Sequence, residues 1–245
     1  MNTENEKAYV LHTRQYRESS QLVDLFSRDF GRLRTVAKGA RGKRKSGGHQ
    51  LQAFTPLLLS WRGKGELKNL TAVEASGNNA ALHGEMLYIG LYLNELLVRL
   101  LPEHVAHESL FDRYSDLIAQ LSMSSDPEPL LRRFELSLLE EIGYGLDMAT
   151  ELATDRPIEA GEHYYFTHDQ GFIRFDAVSN QCKEGCFAGE HLLAIAADDY
   201  CSLAVRRCAK RLLRSALQAQ LGERPLLSRQ LFHQAKVPVN KAQDD

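Results

Sequence analysis

Arg32-Leu33-Arg34-Thr35-Val36-Ala37 decides the fold. Leu33, Thr35 and Ala37 fall on one side and Arg32, Arg34 and Val36 on the other, the period-two pattern of a strand with one face on a core. The corner Asp29-Phe30-Gly31 precedes it, and Gly31 supplies the positive φ that a tight turn needs. Further back, residues 21–26 and 8–12 read as two more strands. Past a glycine- and lysine-rich interval, residues 55–61 and 67–75 read as a fourth and a fifth, with Gly63-Lys64-Gly65 as the hairpin turn between them. Five short strands with one longer connection after the third match the Greek-key barrel of an OB-fold; a small open sheet gives the same pattern.

From about Ala80 the period changes. Residues 82–101 carry Met86, Ile89, Leu93, Leu96, Leu97 and Leu100 at three-and-four spacing, an amphipathic helix ended by Pro102. A second helix covers residues 108–121. A third starts after Asp126 with Pro127 in its first turn and ends before Gly143. Residues 145–186 are irregular, with Tyr164-Tyr165-Phe166 and Phe172-Ile173-Arg174 forming a short hairpin around Asp169-Gln170-Gly171. Helices return at 189–197, 202–221 and 228–235. The expected architecture is α+β in two domains: a five-stranded barrel over residues 1–79, and a mainly helical domain over 80–245 with an irregular insert. Gly77-Asn78-Asn79 marks the join.

The charges are unevenly spread. Among 245 residues the net charge is only −2, which argues against a protein that coats DNA by bulk positive charge. Between positions 28 and 68, however, the cations are Arg28, Arg32, Arg34, Lys38, Arg41, Lys43, Arg44, Lys45, Arg62, Lys64 and Lys68, against only Asp29 and Glu66. Lysine and arginine displace counterions from a polyanion, and the glycines of residues 38–48 let backbone approach phosphates closely. An isolated charge run is usually a solvated loop. Here strand residues Arg32, Arg34, Arg62 and Lys68 extend it into one candidate nucleic-acid face. Tyr16, Phe54 and Trp61 are candidate base-stacking rings, Trp61 foremost because it adjoins Arg62 at a strand end; the bland reading of each is a core residue. A second basic stripe, Arg207, Lys210, Arg211 and Arg214, shares one face of its helix and suits DNA or an acidic peptide. Arg132 and Arg133 are similar candidates.

Several chemistries fail on their spacing. Gly42-Lys43 is followed by Arg44, so no phosphate-cradling loop is present. His104-Val105-Ala106-His107-Glu108 has the wrong order for a zinc protease helix. Clustered carboxylates for a metal nuclease are not evident, and no catalytic residue is expected. Of the four cysteines, Cys182 and Cys186 are separated by three residues and Cys201 and Cys208 by six, a poor pattern for a closed zinc site. No cofactor is expected. Residues 1–7 are polar and acidic, which predicts no signal peptide. The longest apolar stretch, residues 86–101, is broken by Asn94, Glu95 and Arg99, which predicts no membrane span. The expected location is the cytoplasm, with the nucleoid.

These stretches together resemble the recombination mediator family RecO. The matching pieces are Tyr9-Val10-Leu11-His12, Tyr16-Arg17-Glu18-Ser19-Ser20, Gly31-Arg32, Ala37-Lys38-Gly39-Ala40-Arg41, Phe54-Thr55-Pro56-Leu57 and Leu91-Tyr92-Leu93-Asn94-Glu95-Leu96. Glu128-Pro129, Arg132-Arg133-Phe134-Glu135 and Gly143-Tyr144-Gly145 continue the likeness. The resemblance implies an OB-fold followed by a helical domain with no catalytic centre. It implies binding of single- and double-stranded DNA, annealing of complementary strands, and loading of RecA with RecR. It also implies docking of the acidic C-terminal tail of single-stranded DNA-binding protein on the helical domain. Many relatives carry two Cys-x-x-Cys pairs; residues 147–153 here hold no cysteine, and Arg174 and Ala177 stand after Gly171-Phe172, so zinc is not expected.

Overall fold

The computed structural model describes residues 2–39, 51–65, 67–77, 79–175 and 185–236. Contacts divide the chain into two compact units, residues 1–124 with 224–245, and residues 125–223.

The first unit opens with a closed barrel of β1 (Asn2–Tyr16), β2 (Ser20–Ser27), β3 (Gly31–Ala37), β4 (Leu57–Arg62) and β5 (Lys68–Ala75). The strand order is β1-β2-β3-β5-β4, closed by β4 on β1; all pairs are antiparallel except β3 with β5. Closure leaves no free sheet edge, and the five-strand Greek key is the OB-like barrel expected from the alternation. Ala8, Val10, Val23, Leu25, Leu33, Leu57, Leu59 and Trp61 fill the interior. β1 is far longer than the expected residues 8–12. A register shift between Val10 and His12 bends it, and a bulge of this kind is how one strand pairs on both sides of a small barrel.

Gly31 turns the chain between β2 and β3 at φ +65°, and a Cβ there would lie 1.7 Å from the carbonyl oxygen of Val105. Only glycine fits such an approach.

Helices α1 (Gly84–Leu100), α2 (Glu108–Leu121) and α6 (Leu227–Lys236) belong to the same unit. The outward faces of β1 and β2 explain why. Tyr9 and Phe26 meet Phe111 and Tyr114 of α2 at centroid distances of 5.1–6.1 Å. The Tyr114 hydroxyl donates to Asn94 Oδ1 at 2.6 Å, and Asn94 Nδ2 donates to the Leu11 carbonyl at 3.0 Å, so the buried polar groups at this junction are satisfied. Strand gives way to helix between Ala75 and Gly84, yet the compact unit continues to Ser124, because the barrel's outer apolar face needs α2 as a cover.

The second unit contains α3 (Glu128–Glu141), a two-stranded ribbon of β6 (Thr150–Glu151) and β7 (Arg156–Pro157), and a three-stranded sheet of β8 (His163–Thr167), β9 (Gly171–Arg174) and β10 (Phe187–Ala188). Helices α4 (Gly189–Ala196) and α5 (Leu203–Leu221) complete it. Its core runs through Met148, Tyr164, Phe172, Phe187, Leu192, Tyr200, Val205 and Leu212. The hairpin expected in the irregular segment is β8–β9. Arg174 ties that segment together, reaching Glu151 at 3.1 Å and Glu159 at 2.6 Å.

Candidate nucleic-acid interface

The barrel register gathers strand ends. Tyr16 at the end of β1 pairs with Ser20, Gln21 pairs with Ala37 at the end of β3, and Val36 pairs with Asn69, which pairs with Arg62 at the end of β4. Cations from separate sequence positions therefore meet around the end of β3. Lys38, Arg62 and Lys64 are exposed and have no ion-pair partner among the described residues. Lys68, half-buried, donates from Nζ to the Gly65 carbonyl at 2.6 Å and has no ion-pair partner among the described residues. Arg14 and Arg17, which nothing in the strand pattern singles out, are exposed at the same end and also lack an ion-pair partner among the described residues. Cations with no carboxylate partner among the described residues create the local potential that holds a polyanion. Arg41, Lys43, Arg44 and Lys45 lie outside the described residues.

Three expected members are placed elsewhere. Arg32 is buried: Nε donates to the Leu101 carbonyl at 2.9 Å and Nη1 meets Glu103 at 3.1 Å. Arg34 meets the same Glu103 at 2.6 Å and Asp24 at 3.3 Å. Both arginines neutralise carboxylates within the fold, Glu103 coming from the connection between α1 and α2, and neither is free for phosphate. Trp61 is 1% exposed in the barrel interior, edge-on to Phe30 at 5.5 Å. Its alternation with Leu57 and Leu59 puts it on the inner face, so it is no platform for a base. Phe54 is buried as well. Arg28 is likewise consumed, by Asp112 at 3.0 Å and Glu108 at 2.9 Å. Its hydrogen bond holds the Asp112 carboxyl below the usual range.

The second unit sorts the other basic candidates in the same way. Arg132 is buried and bound to Glu135, with Glu128 at 4.0 Å, so it is not offered to a partner. Arg133 is exposed but bridged to Asp198 at 2.7 Å. On α5, burial of Val205, Cys208, Ala209, Leu212 and Leu213 turns Arg207, Lys210, Arg211 and Arg214 outward. Arg211 donates to the Cys186 carbonyl and lies 4.3 Å from the Phe187 ring centroid. Arg207, Lys210 and Arg214 have no ion-pair partner among the described residues.

Burial pushes the Cys208 thiol up to about 11, so it stays protonated at neutral pH. Cys182 lies outside the described residues. Among the described residues no group of three or more His, Cys, Asp or Glu could hold a metal ion, and no helix is long and apolar enough to cross a membrane.

Fold and site together define a protein with an OB-like barrel whose strand ends carry cations that have no ion-pair partner among the described residues, followed by a helical region with a second basic face. The chain belongs to the RecO family: the model "Recombination protein O N terminal" matches residues 1–78 and "Recombination protein O C terminal" matches residues 82–230. Among its relatives, the DNA repair protein RecO of Cellvibrio japonicus (strain Ueda107) is 45% identical over 235 residues, covering 95% of this chain and 98% of the relative. That of Vibrio cholerae serotype O1 (strain M66-2) is 40% identical over 240 residues, 98% of each. That of Haemophilus influenzae (strain 86-028NP) is 42% identical over 234 residues, 96% of this chain and 98% of the relative. Family membership supports a role in DNA repair and recombination.

Proposed function

We propose that this chain is a non-enzymatic recombination mediator that binds single- and double-stranded DNA, anneals complementary strands, and helps RecA replace single-stranded DNA-binding protein on DNA together with RecR. The observation that carries the reading is the group of cations Lys38, Arg62, Lys64 and Lys68 around the end of β3, which have no ion-pair partner among the described residues. Arg14 and Arg17 add to it. The basic residues 41, 43, 44 and 45 follow Lys38 in the sequence and supply more phosphate contacts. Such contacts fix strands without reading bases, which suits a protein that acts wherever DNA is damaged. Screening phosphates on two strands at once lowers their repulsion and favours annealing.

The test is a titration of the full chain against a labelled single strand at several salt concentrations. With about five phosphates neutralised, the logarithm of affinity falls against the logarithm of salt with a slope near −3.5. A flat response overturns the proposal.

The α5 face favours a second binding event. Arg207, Lys210 and Arg214 stand free of carboxylates among the described residues, and Arg211 is held beside Phe187. A cationic face of this kind accepts an acidic peptide, and the C-terminal tail of single-stranded DNA-binding protein is the occupant proposed. Loss of peptide affinity on replacing Arg207 and Arg214 by alanine is the expected result; unchanged affinity removes the site.

A further inference from the structure

Among the described aromatic residues of the barrel, Tyr9, Phe26, Phe54 and Trp61 are buried, and Phe30 stands edge-on to Trp61. Tyr16 differs. It is half-exposed at the last position of β1, with no aromatic ring beside it among the described residues. Its cross-strand partner is the small residue Ser20. Alternation along β2 puts Ser20 on the outer side with Leu22, opposite the interior residues Val23 and Leu25, so Tyr16 faces outward too.

The next residue is unusual in its backbone. Arg17 adopts φ 54°, the left-handed region that glycine or asparagine occupies more easily than a residue with a long side chain. The conformation brings its guanidinium 5.2 Å from the centroid of the Tyr16 ring. A cation on one face of a ring leaves the other for a flat apolar group. Around this pair stand the unpaired cations Arg14 and Lys38, and the single acid of the turn is Glu18.

We infer that Tyr16 is the stacking platform for an unpaired base of a single strand, with Arg17 on one face of the ring, the base on the other, and Arg17, Arg14 and Lys38 against the flanking phosphates. The inference rests on the nucleic-acid reading above and assigns it a base-contacting residue. It also gives the barrel a preference that phosphate contacts alone lack. A duplex keeps its bases stacked on each other and offers no face to Tyr16, whereas an unpaired strand does. Every base has a π face, so the preference carries no sequence requirement.

The experiment measures binding of the full chain to three probes of equal length: oligothymidylate, the corresponding all-abasic strand, and a duplex. The wild-type chain is expected to bind oligothymidylate more tightly than the abasic strand. Tyr16→Ala is expected to weaken oligothymidylate binding about tenfold, the order a lost base–aromatic stack produces, and to leave the other two probes unchanged. Tyr16→Phe keeps the ring and retains the wild-type affinity. Because no cation is removed, the salt slope of Tyr16→Ala equals that of the wild type. Equal losses on all three probes, or none, overturn the inference while leaving the phosphate-binding proposal standing. A wild-type chain that binds none of the three at low salt overturns that proposal itself.

Discussion

At the residue scale, identical side chains differ in availability because of partners distant in sequence. Arg32 and Arg62 are both strand arginines, yet Glu103 and the Leu101 carbonyl hold the first, and the second is exposed with no ion-pair partner among the described residues. Replacing Lys38 or Arg62 by alanine is therefore expected to flatten the salt slope on single strands by about 0.7 each, measured by titration across salt concentrations. Arg32→Ala should instead lower stability, since it leaves the Leu101 carbonyl without its donor and Glu103 with Arg34 alone, with little change in that slope. Gly31 is constrained on two counts: its φ is positive, and the Val105 carbonyl oxygen lies 1.7 Å from where a Cβ would stand. Gly31→Ala should cost at least about 3 kcal/mol in denaturant unfolding. Tyr200 offers a pH handle. Burial pushes its hydroxyl up to about 12, and the hydroxyl finds no hydrogen-bond partner among the described residues. The folded state therefore prefers the neutral phenol. Its contribution is complete below about pH 10, the ordinary tyrosine range, and is lost as pH rises towards 12. Tyr200→Phe is expected to remove that alkaline loss without lowering stability at neutral pH, as followed by denaturant unfolding at stepped pH.

At the scale of elements, alternation and three-and-four spacing make most strands and helices legible, because each element shows one face to a core and the other to water. Helix α2 falls at residues 108–121 as its spacing requires. The length of β1 is hidden: its bulge resets the alternation at residue 11, so residues 12–16 do not continue the pattern of residues 8–10. With β1 cut short, Arg14, Tyr16 and Arg17 do not read as neighbours of Lys38. Trp61 misleads for the opposite reason. The exposed Arg62 beside it draws it outward on paper, although its own alternation with Leu57 and Leu59 already puts it inside. The start of α6 also depends on a distant group. Glu95 of α1 accepts from the backbone N–H groups of Leu227 and Ser228 at 2.8 Å each, and from Ser228 Oγ at 2.6 Å. A carboxylate at a helix N-terminus satisfies donors that the helix itself cannot. Glu95→Ala should cost about 1 kcal/mol and speed amide exchange in α6 while barrel amides keep their protection.

At the scale of the whole molecule, 30 lysines and arginines against 32 acids leave no long-range field to draw DNA in. Affinity for a polyanion must come from places where acids are locally missing or already consumed. The fold creates two such places, one in each compact unit: the strand ends of the barrel, and the outer face of α5. Neither could be delimited from composition, because the carboxylates that remove Arg28, Arg32, Arg34, Arg132 and Arg133 from service are brought to them by folding. The two sets should then be separable by mutation. A chain with Lys38, Arg62, Lys64 and Lys68 all replaced by alanine is expected to lose most of its salt-dependent single-strand affinity and to bind an acidic, apolar-tipped peptide as the wild type does. A chain with Arg207, Lys210 and Arg214 replaced should show the reverse, weak peptide binding with a single-strand salt slope near the wild-type value. Anisotropy titrations of both variants against both probes decide it: parallel losses in either variant would mean that one continuous field, and not two separate sets of unpaired cations, does the binding.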